Sequence, residues 1–457
     1  MPLNRSERTP MYLQLYRQLR ADYDDTRANQ PLWSIRKMAQ NLGVSKTTVA
    51  QAYDQLVAEG IVYSVPGSGY YYRDQADWSP DQPSTDQIVA PKTPIPVKYD
   101  FRYGVTQLLS PSWNAWKRAV RLALRQTEQQ PTAIYPDAQG LPALRAALVR
   151  FLKTTRGVHA TPDQIVITNG AKAGFGILLS ILPRATLGIE NPGYRGLSDL
   201  AASYGHTAVN IPVTADGLDL ATVRRVNPQV VYTTPGHQFP LGVILPIEQR
   251  LALLKWAGAD HLIIEDDYDS EYRYRAHPLP ALQSLAAANQ VAYLGTFSRG
   301  IDPTLRMGYL VLPPRLVSVY HQHYQYQAEM VAGLLQQAMV NYFDDGAYYR
   351  HLSRNRSTNR QKYRCLCDQL KRSKQIRPIM TGAGVHLVVQ IPSIDQATLL
   401  TALEQQQVRI YPLNSNWTAM PSADYYLLGF AGLTLSDLKT GVQRLMQVCE
   451  RLSATGA

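Results

Sequence analysis

HLIIEDDYDSEYRY, residues 261–274, passes within a few positions from an apolar, β-rich run into a cluster of carboxylates and tyrosines. The opening run HLIIE (261–265) has companions in QIVIT (164–168), QVVYT (229–233) and VAYLGT (291–296), and helical patterns separate them. Short continuous apolar runs alternating with helices predict an α/β domain after Tyr99, built on a mostly parallel, buried sheet with helices on both faces. An aspartate where such a strand ends, such as Asp266, either caps a loop or faces a ligand.

The chain upstream of Tyr99 reads differently. Residues 10–26 carry Tyr12, Leu15, Tyr16 and Leu19 at helical spacing behind Pro10. A second helix is predicted from Ser34 to Asn41 with Ser34 as its cap, Gly43 turns the chain, and Ser45 opens a third helix that Gly60 stops after Glu59. IVYSVPGSGYYY (61–72) then has the pattern of a two-stranded hairpin with a glycine-rich tip. Three helices and a wing give a domain over 1–73. From 74 to 98 the chain is rich in Pro, Asp, Ser, Gln and Thr and poor in large apolar residues, which predicts an exposed linker. The third segment is 99–457.

At 457 residues the chain exceeds what one core usually organises. A hydrophobic fraction of 45% and a charged fraction of 18% are those of a globular protein, and no apolar run approaches the roughly 20 residues of a membrane span. The N-terminus lacks the apolar core of a secretory signal, so a cytoplasmic location is expected. Three cysteines, two of them Cys365 and Cys367 in one predicted helix, exclude a disulfide scaffold, and no zinc-binding spacing occurs. The net charge of +11 favours a polyanionic partner. Residues 1–73 carry +3, the linker −2 and the rest +10, densest between Arg350 and Arg377. That stretch reads either as a solvated helix face or as a surface that tracks DNA.

SIRKMAQNLGVSKTTVAQAYDQLVAEGIVYSVPGSGYYY (34–72) resembles the winged helix-turn-helix of the GntR family. The resemblance implies double-stranded promoter or operator DNA as partner. Ser45, Lys46, Thr47 and Thr48 open the third helix, where side chains reach base edges and phosphates in a major groove. Arg36 and Lys37 are expected phosphate contacts, and Gly67, Ser68 and Gly69 at the wing tip bring backbone to the minor groove. Trp33 and Lys46 depart from the proline and arginine common in the family. Lysine keeps the charge but not the bidentate recognition of guanine.

Downstream, YPDAQGLPALRAAL (135–148), TNGAKAGF (168–175), NPGY (191–194), TPGHQFPLG (234–242), IIEDDYDSEYRY (263–274) and LGTFSRGIDPTLRMGYL (294–310) resemble fold-type I aminotransferases. In their order, and joined to a GntR-like head, they resemble the MocR/GabR regulators. The resemblance implies the pyridoxal-phosphate-dependent aminotransferase fold type I, with large and small subdomains, a homodimer, and a site for pyridoxal 5'-phosphate or a related small-molecule effector. It assigns Gly170, Ala171, Lys172, Thr296 and Arg306 to the phosphate, and Tyr135 to the phosphate of the neighbouring subunit. Asp266 falls to the ring nitrogen, with Asp267 the lesser alternative, Tyr268 to the ring oxygen, Tyr194 to the ring face, and His237 or Gln238 to the same wall.

Where that pattern has its Schiff-base lysine, this chain has Arg299. A guanidinium stays protonated and is a poor nucleophile, so a covalent link to the cofactor is not expected: pyridoxal phosphate binds non-covalently at most, or is absent. The same substitution argues against transamination, because that lysine normally also moves the α-proton. Three readings follow: a MocR-type regulator with a ligand-binding domain, a working aminotransferase, or a DNA-binding dimer on an empty scaffold. No arginine for an amino-acid carboxylate occurs in YYLLGFAGL (425–433).

Overall fold

The computed structural model describes residues 3–4, 9–23, 27–74, 97–106, 110–129, 137–274, 279–327, 331–418 and 424–455. Two compact units divide the chain, Met1–Ile95 and Pro96–Ala457.

In the small unit, helices α1 (Met11–Ala21), α2 (Ile35–Leu42) and α3 (Lys46–Ala58) precede a hairpin of β1 (Val62–Val65) and β2 (Gly69–Tyr72). α1 ends at Ala21, five residues short of the expected 26, and its last buried apolar position is Leu19. Ser34 and Ser45 are the N-caps of α2 and α3, accepting from the backbone N–H of Lys37 at 3.4 Å and of Thr48 at 3.1 Å. Each cap satisfies a donor that the first helical turn leaves unpaired. Leu15, Leu19, Val49, Tyr53, Leu56 and Val62 form the core.

The large unit begins at β3 (Tyr99–Asp100) and holds an eight-stranded sheet of β4 (Ile165–Thr168), β5 (Thr186–Asn191), β6 (Thr207–Thr214), β7 (Gly217–Leu218), β8 (Val230–Thr233), β9 (Leu262–Asp267), β10 (Val291–Thr296) and β11 (Gly308–Val311). Their spatial order is β4-β11-β10-β9-β8-β5-β6-β7, parallel from β10 through β6, with β11 and β7 antiparallel to their neighbours. The four runs expected as strands are thus β4, β8, β9 and β10. Helices cover both faces, as strands buried on two sides require. On one face α4 (Ser110–Glu128), α5 (Pro142–Arg156) and α11 (Gly333–Asp344) pack on Ile165, Ile167, Tyr293 and Tyr309, and α8 (Leu220–Val226) and α9 (Ile247–Ala257) on Val231, Ile263 and Val291. On the other, α6 (Ala171–Ile181), α7 (Gly196–Ser203) and α10 (Pro314–Tyr324) pack on Val166, Ile189, Ile264 and Leu294.

A smaller antiparallel sheet, β12 (Arg377–Ile379), β13 (His386–Gln390), β15 (Tyr411–Pro412) and β16 (Tyr425–Gly429), forms a second core with α12 (Ala347–Leu370), α13 (Gln396–Gln405) and α14 (Leu435–Thr455), while β14 (Val408–Arg409) pairs with β3. The basic stretch over α12 and the turn after it fits neither expectation along its whole length. Arg360, Arg364, Lys371, Arg372 and Lys374 are exposed, whereas Lys362 is buried and donates to Ala431 O at 2.8 Å. Arg354 and Arg356 also turn inward, onto Ser112 Oγ at 3.1 Å and Glu271 O at 2.8 Å. Among the described residues no helix is long and apolar enough to cross a membrane.

Candidate functional site

In the small unit the polar residues at the start of α3 divide into two kinds. Ser45 and Thr48 face each other, their hydroxyl oxygens 2.8 Å apart, and are engaged in the cap. Lys46 and Thr47 are exposed, as are Arg36 and Lys37 on α2. Gln51, one turn beyond Thr47, is exposed too. The sequence reading missed it, although its i+4 spacing from Thr47 signals a shared face. Lys37 Nζ lies 5.2 Å from the centroid of the half-exposed Trp33 ring, so the tryptophan that departs from the family pattern is a cation–π partner for a candidate phosphate contact. At the wing tip Gly67 and Gly69 have open space where side chains would begin, and Ser68 pairs with the Tyr71 hydroxyl at 2.5 Å.

In the large unit a cavity of about 310 Å3 opens at the C-terminal ends of β5, β8, β9 and β10, the place where open α/β sheets bind ligands. Gly170, Ala171, Lys172, Tyr194, Asp266, Tyr268, Thr296, Arg299 and Arg306 all line it. Tyr135 lies outside the described residues. At one end Gly170 precedes α6 with φ +91°, and a Cβ there would sit 3.2 Å from the Arg306 guanidinium. The glycine thus lets a cation approach the free N–H groups of a helix N-terminus, an arrangement suited to a phosphate. Arg306 itself has a left-handed backbone, φ +46°.

Deeper in the cavity, alternation along β9 sends successive side chains to opposite faces of the sheet. Asp266 accepts from the Tyr232 hydroxyl through Oδ2, while its Oδ1 is buried without a partner. Burial raises its carboxyl to about 7, opposed by the Tyr232 hydrogen bond and reinforced by Asp267, Glu190 and Asp269. An orphaned carboxylate oxygen in a cavity fits a ligand that brings an N–H, as a protonated pyridine does. Asp267 points the other way, bound by Arg156 Nε at 2.7 Å and the Tyr293 hydroxyl at 2.5 Å. It is closed to the cavity, which removes it as the alternative to Asp266.

His237 and Gln238 correct the expectation that one of them lines the wall with Tyr194. Both are buried, and neither is among the residues that line the cavity. Asp269 holds His237 Nδ1 at 3.0 Å, and the Tyr268 hydroxyl lies 3.1 Å from the same nitrogen. Gln238 donates to Glu190, to Pro192 O at 2.8 Å and to Phe239 O. His237, Asp269 and His386 bring potential metal-ligating atoms within 4.8 Å of one another, yet His237 Nδ1 is taken by Asp269, and His386 Nε2 contacts Pro240 O at 3.0 Å. Burial lowers the His386 imidazole to about 3, with His237 adding to the effect.

Arg299 sits with its guanidinium carbon 4.0 Å from the centroid of the Tyr103 ring. Gly104 gives it room, since a Cβ there would meet Nη1 at 2.8 Å. The Tyr272 hydroxyl fixes the Arg299 backbone carbonyl at 2.8 Å. Tyr103, Glu190 and Ser298 also line the cavity and were missed by sequence reading. Glu190 adjoins the NPGY motif and Ser298 lies within the 294–310 motif, so position could have flagged both. Tyr103 follows β3, roughly 200 residues from Arg299, and carries no local signal.

Two family matches cover these units separately: bacterial regulatory proteins of the gntR family over residues 11–71, and aminotransferase class I and II over residues 101–445. Full-length relatives join both. The HTH-type transcriptional regulator YdeL of Bacillus subtilis is 33% identical over 97% of each chain. The probable rhizopine catabolism regulatory protein MocR of Rhizobium meliloti is 31% identical over all of this chain and 97% of its own. The pyridoxine biosynthesis transcriptional regulator PdxR of Corynebacterium glutamicum is 32% identical over 88% and 87%. Among solved structures, the α-aminoadipate aminotransferase LysN of Thermus thermophilus aligns with a TM-score of 0.68 at 22% identity, covering 78% of this chain and 93% of that one, a likeness of fold. With a winged-helix head and an aminotransferase-type domain in one chain, and relatives alike from end to end, this protein belongs to the MocR-type transcriptional regulators of the GntR family.

Proposed function

We propose that this DNA-binding regulator, acting in the cytoplasm as a homodimer, uses its large unit as a receptor for pyridoxal phosphate or a related anionic ligand, held without a covalent bond. The observation that carries the reading is the buried, unpartnered Oδ1 of Asp266 in the same cavity as the α6 N-terminus and Arg306. Ala171 and Lys172 would offer backbone N–H groups to the phosphate, with Arg306 and Thr296 beside them. Asp266 would accept from the ring nitrogen. Tyr268, oriented by the His237–Asp269 pair, would meet the ring oxygen, and Tyr194 the ring face.

Pyridoxal phosphate supplies, when bound, an electrophilic aldehyde and an electron-withdrawing ring. The chain offers no nucleophile from position 299, because a guanidinium neither attacks a carbonyl nor shuttles a proton near neutral pH. Binding energy is then available to bias the large unit toward one conformation and, through it, the affinity of the heads for promoter DNA. Lys46 and Thr47 would contact bases, and Arg36 and Lys37 phosphates. Pyridoxal phosphate added to the purified protein should give the absorbance of a held but unlinked cofactor and change the affinity for the promoter fragment upstream of its neighbouring gene. Unchanged absorbance together with unchanged DNA binding would leave the large unit a scaffold and overturn the proposal.

A further inference from the structure

The cavity contains a cation that the ligand assignment above leaves unused. Arg299 lines the same space as Asp266 and Arg306. One face of its guanidinium is covered by the Tyr103 ring at 4.0 Å, and Gly104 leaves room for its Nη atoms. The Arg299 backbone is fixed through its carbonyl by Tyr272. Among the described residues no carboxylate lies within ion-pair distance of it. A guanidinium is permanently charged, and with one face stacked it still presents edge N–H groups in a fork that matches the two oxygens of a carboxylate. At the far end, a phosphate has its own donors in the α6 N-terminus and Arg306. The Asp266 oxygen, in contrast, requires a donor. The open groups therefore ask for three things of one ligand: a phosphate, an N–H, and a second anion of carboxylate shape.

We infer that Arg299 makes this cavity selective for a phosphorylated pyridine that carries a carboxylate on the carbon-4 side of its ring, the side an aldehyde occupies in pyridoxal phosphate. The inference rests on the ligand-receptor reading proposed above and narrows it. Two sources supply the same chemistry: a ring carboxylate, as in 4-pyridoxate 5'-phosphate, or the carboxylate of an amino acid joined to the ring through its nitrogen, as in N-(5'-phosphopyridoxyl)-L-alanine. In both, Arg299 forms a charge-assisted pair, and no bond is made or broken. Pyridoxamine 5'-phosphate, with an ammonium on the same side, meets like charge at Arg299 and binds more weakly.

Calorimetry on the full-length protein with 4-pyridoxate 5'-phosphate, N-(5'-phosphopyridoxyl)-L-alanine, pyridoxamine 5'-phosphate and inorganic phosphate tests this ranking. At least one carboxylated probe should bind tenfold or more tighter than pyridoxamine 5'-phosphate, and whichever is tighter identifies the source of the carboxylate. In Arg299→Met the preference should collapse to within about twofold, because the charged hydrogen bond to the carboxylate and the like-charge contact with the ammonium are lost together. Thermal melting of the variant checks that it folds, and the wild-type ranking stands as a test without it. Equal or tighter binding of pyridoxamine 5'-phosphate by the wild type, or an unchanged preference in a folded Arg299→Met, overturns the role of Arg299 and leaves the receptor reading intact. Failure of every pyridine phosphate to bind overturns the receptor reading, and this inference with it.

Discussion

Asp266 and Asp267 are neighbours on β9, carry the same functional group and have opposite fates. On the α5 face Asp267 is closed: Arg156 and Tyr293 share its Oδ2, and the Ser270 N–H reaches its Oδ1 at 3.3 Å. Glu265, on the same face, is met by the backbone N–H groups of Leu282 and Gln283, each at 2.8 Å. On the α6 face Asp266 keeps one oxygen without a partner. A polar group whose hydrogen bonds all end inside the protein holds the fold together, and one that is buried and left open is available to a ligand. The same division recurs on the first turn of α3, where Ser45 and Thr48 are closed on each other while Lys46 and Thr47 face solvent.

The contrast breaks if the two faces respond alike to substitution. Arg156→Met leaves the Asp267 carboxylate buried without its cation and should remove about 3–5 kcal/mol of unfolding free energy, read from denaturant melts. Asp266→Asn should leave stability within about 1 kcal/mol of wild type at pH 5 while weakening pyridoxal phosphate binding. The pH dependence follows from the direction of its shift. The folded carboxyl titrates at about 7, above its ordinary value of 3.8, so the stability due to the protonated form is complete below about pH 4 and is lost as pH rises to 7. The asparagine variant cannot lose it. It should gain on the wild type between pH 5 and 7, with the difference level above that, and a variant less stable than wild type at pH 8 would mean that Asp266 has a closing partner.

Arg299→Lys sharpens the contrast from the other side of the cavity. It replaces a guanidinium that cannot attack with an amine that can, on a backbone fixed by Tyr272. Borohydride should then fix pyridoxal phosphate to the variant with about one adduct per chain, located by peptide mapping at position 299, and leave the wild type unmodified. A stoichiometric adduct on the wild type at Lys172, which lines the cavity, would show that the cavity already holds a nucleophile.

How much of this could be read from sequence follows the same line. Groups that act locally were legible: the caps at Ser34 and Ser45, and the strand runs that became β4, β8, β9 and β10. Local pattern placed Asp266 at the end of a strand, and the family resemblance marked Arg299 as the departure. What sequence could not supply was closure over long separations. That His237 is taken by Asp269 and removed from the wall, that Lys362 and Arg356 point inward from a basic helix, and that Tyr103 covers Arg299 all depend on partners 30 or more residues away. The adjacency of Asp266 and Asp267 gave no hint of which was open, because that is decided by Arg156 and Tyr293 on one face and by Tyr232 on the other.

On α3 the open residues should carry sequence preference, and those on α2 should carry affinity. Lys46→Ala or Thr47→Ala should relax discrimination among operator variants by roughly 1–3 kcal/mol per contacted base pair, measured by competition binding. Arg36→Ala should weaken binding to all sequences alike and reduce the slope of log affinity against log salt by about one. Unchanged discrimination in the first pair and an unchanged slope in the second would remove this face from the DNA interface.

The smallest effect concerns Ser45, which sequence reading placed among the DNA contacts and whose hydroxyl the structure engages in capping. If its work is the cap, Ser45→Ala should cost about 1 kcal/mol of stability in the small unit, and Ser45→Gly only a few tenths, because glycine tolerates the cap position without supplying the side-chain acceptor. Both should weaken DNA binding only as far as they loosen the first turn of α3. Ser45→Asp separates the roles, since an aspartate caps as well as a serine and favours the positive end of the helix dipole, yet sets a negative charge next to Lys46. Wild-type melting with weakened DNA binding would place Ser45 close to a phosphate while leaving the cap as its structural task. Wild-type melting with wild-type DNA binding would keep Ser45 away from DNA altogether. If instead Ser45→Ala melts as the wild type does but binds DNA poorly, the hydroxyl is a contact and not a cap, and the division between closed and open groups fails at this position.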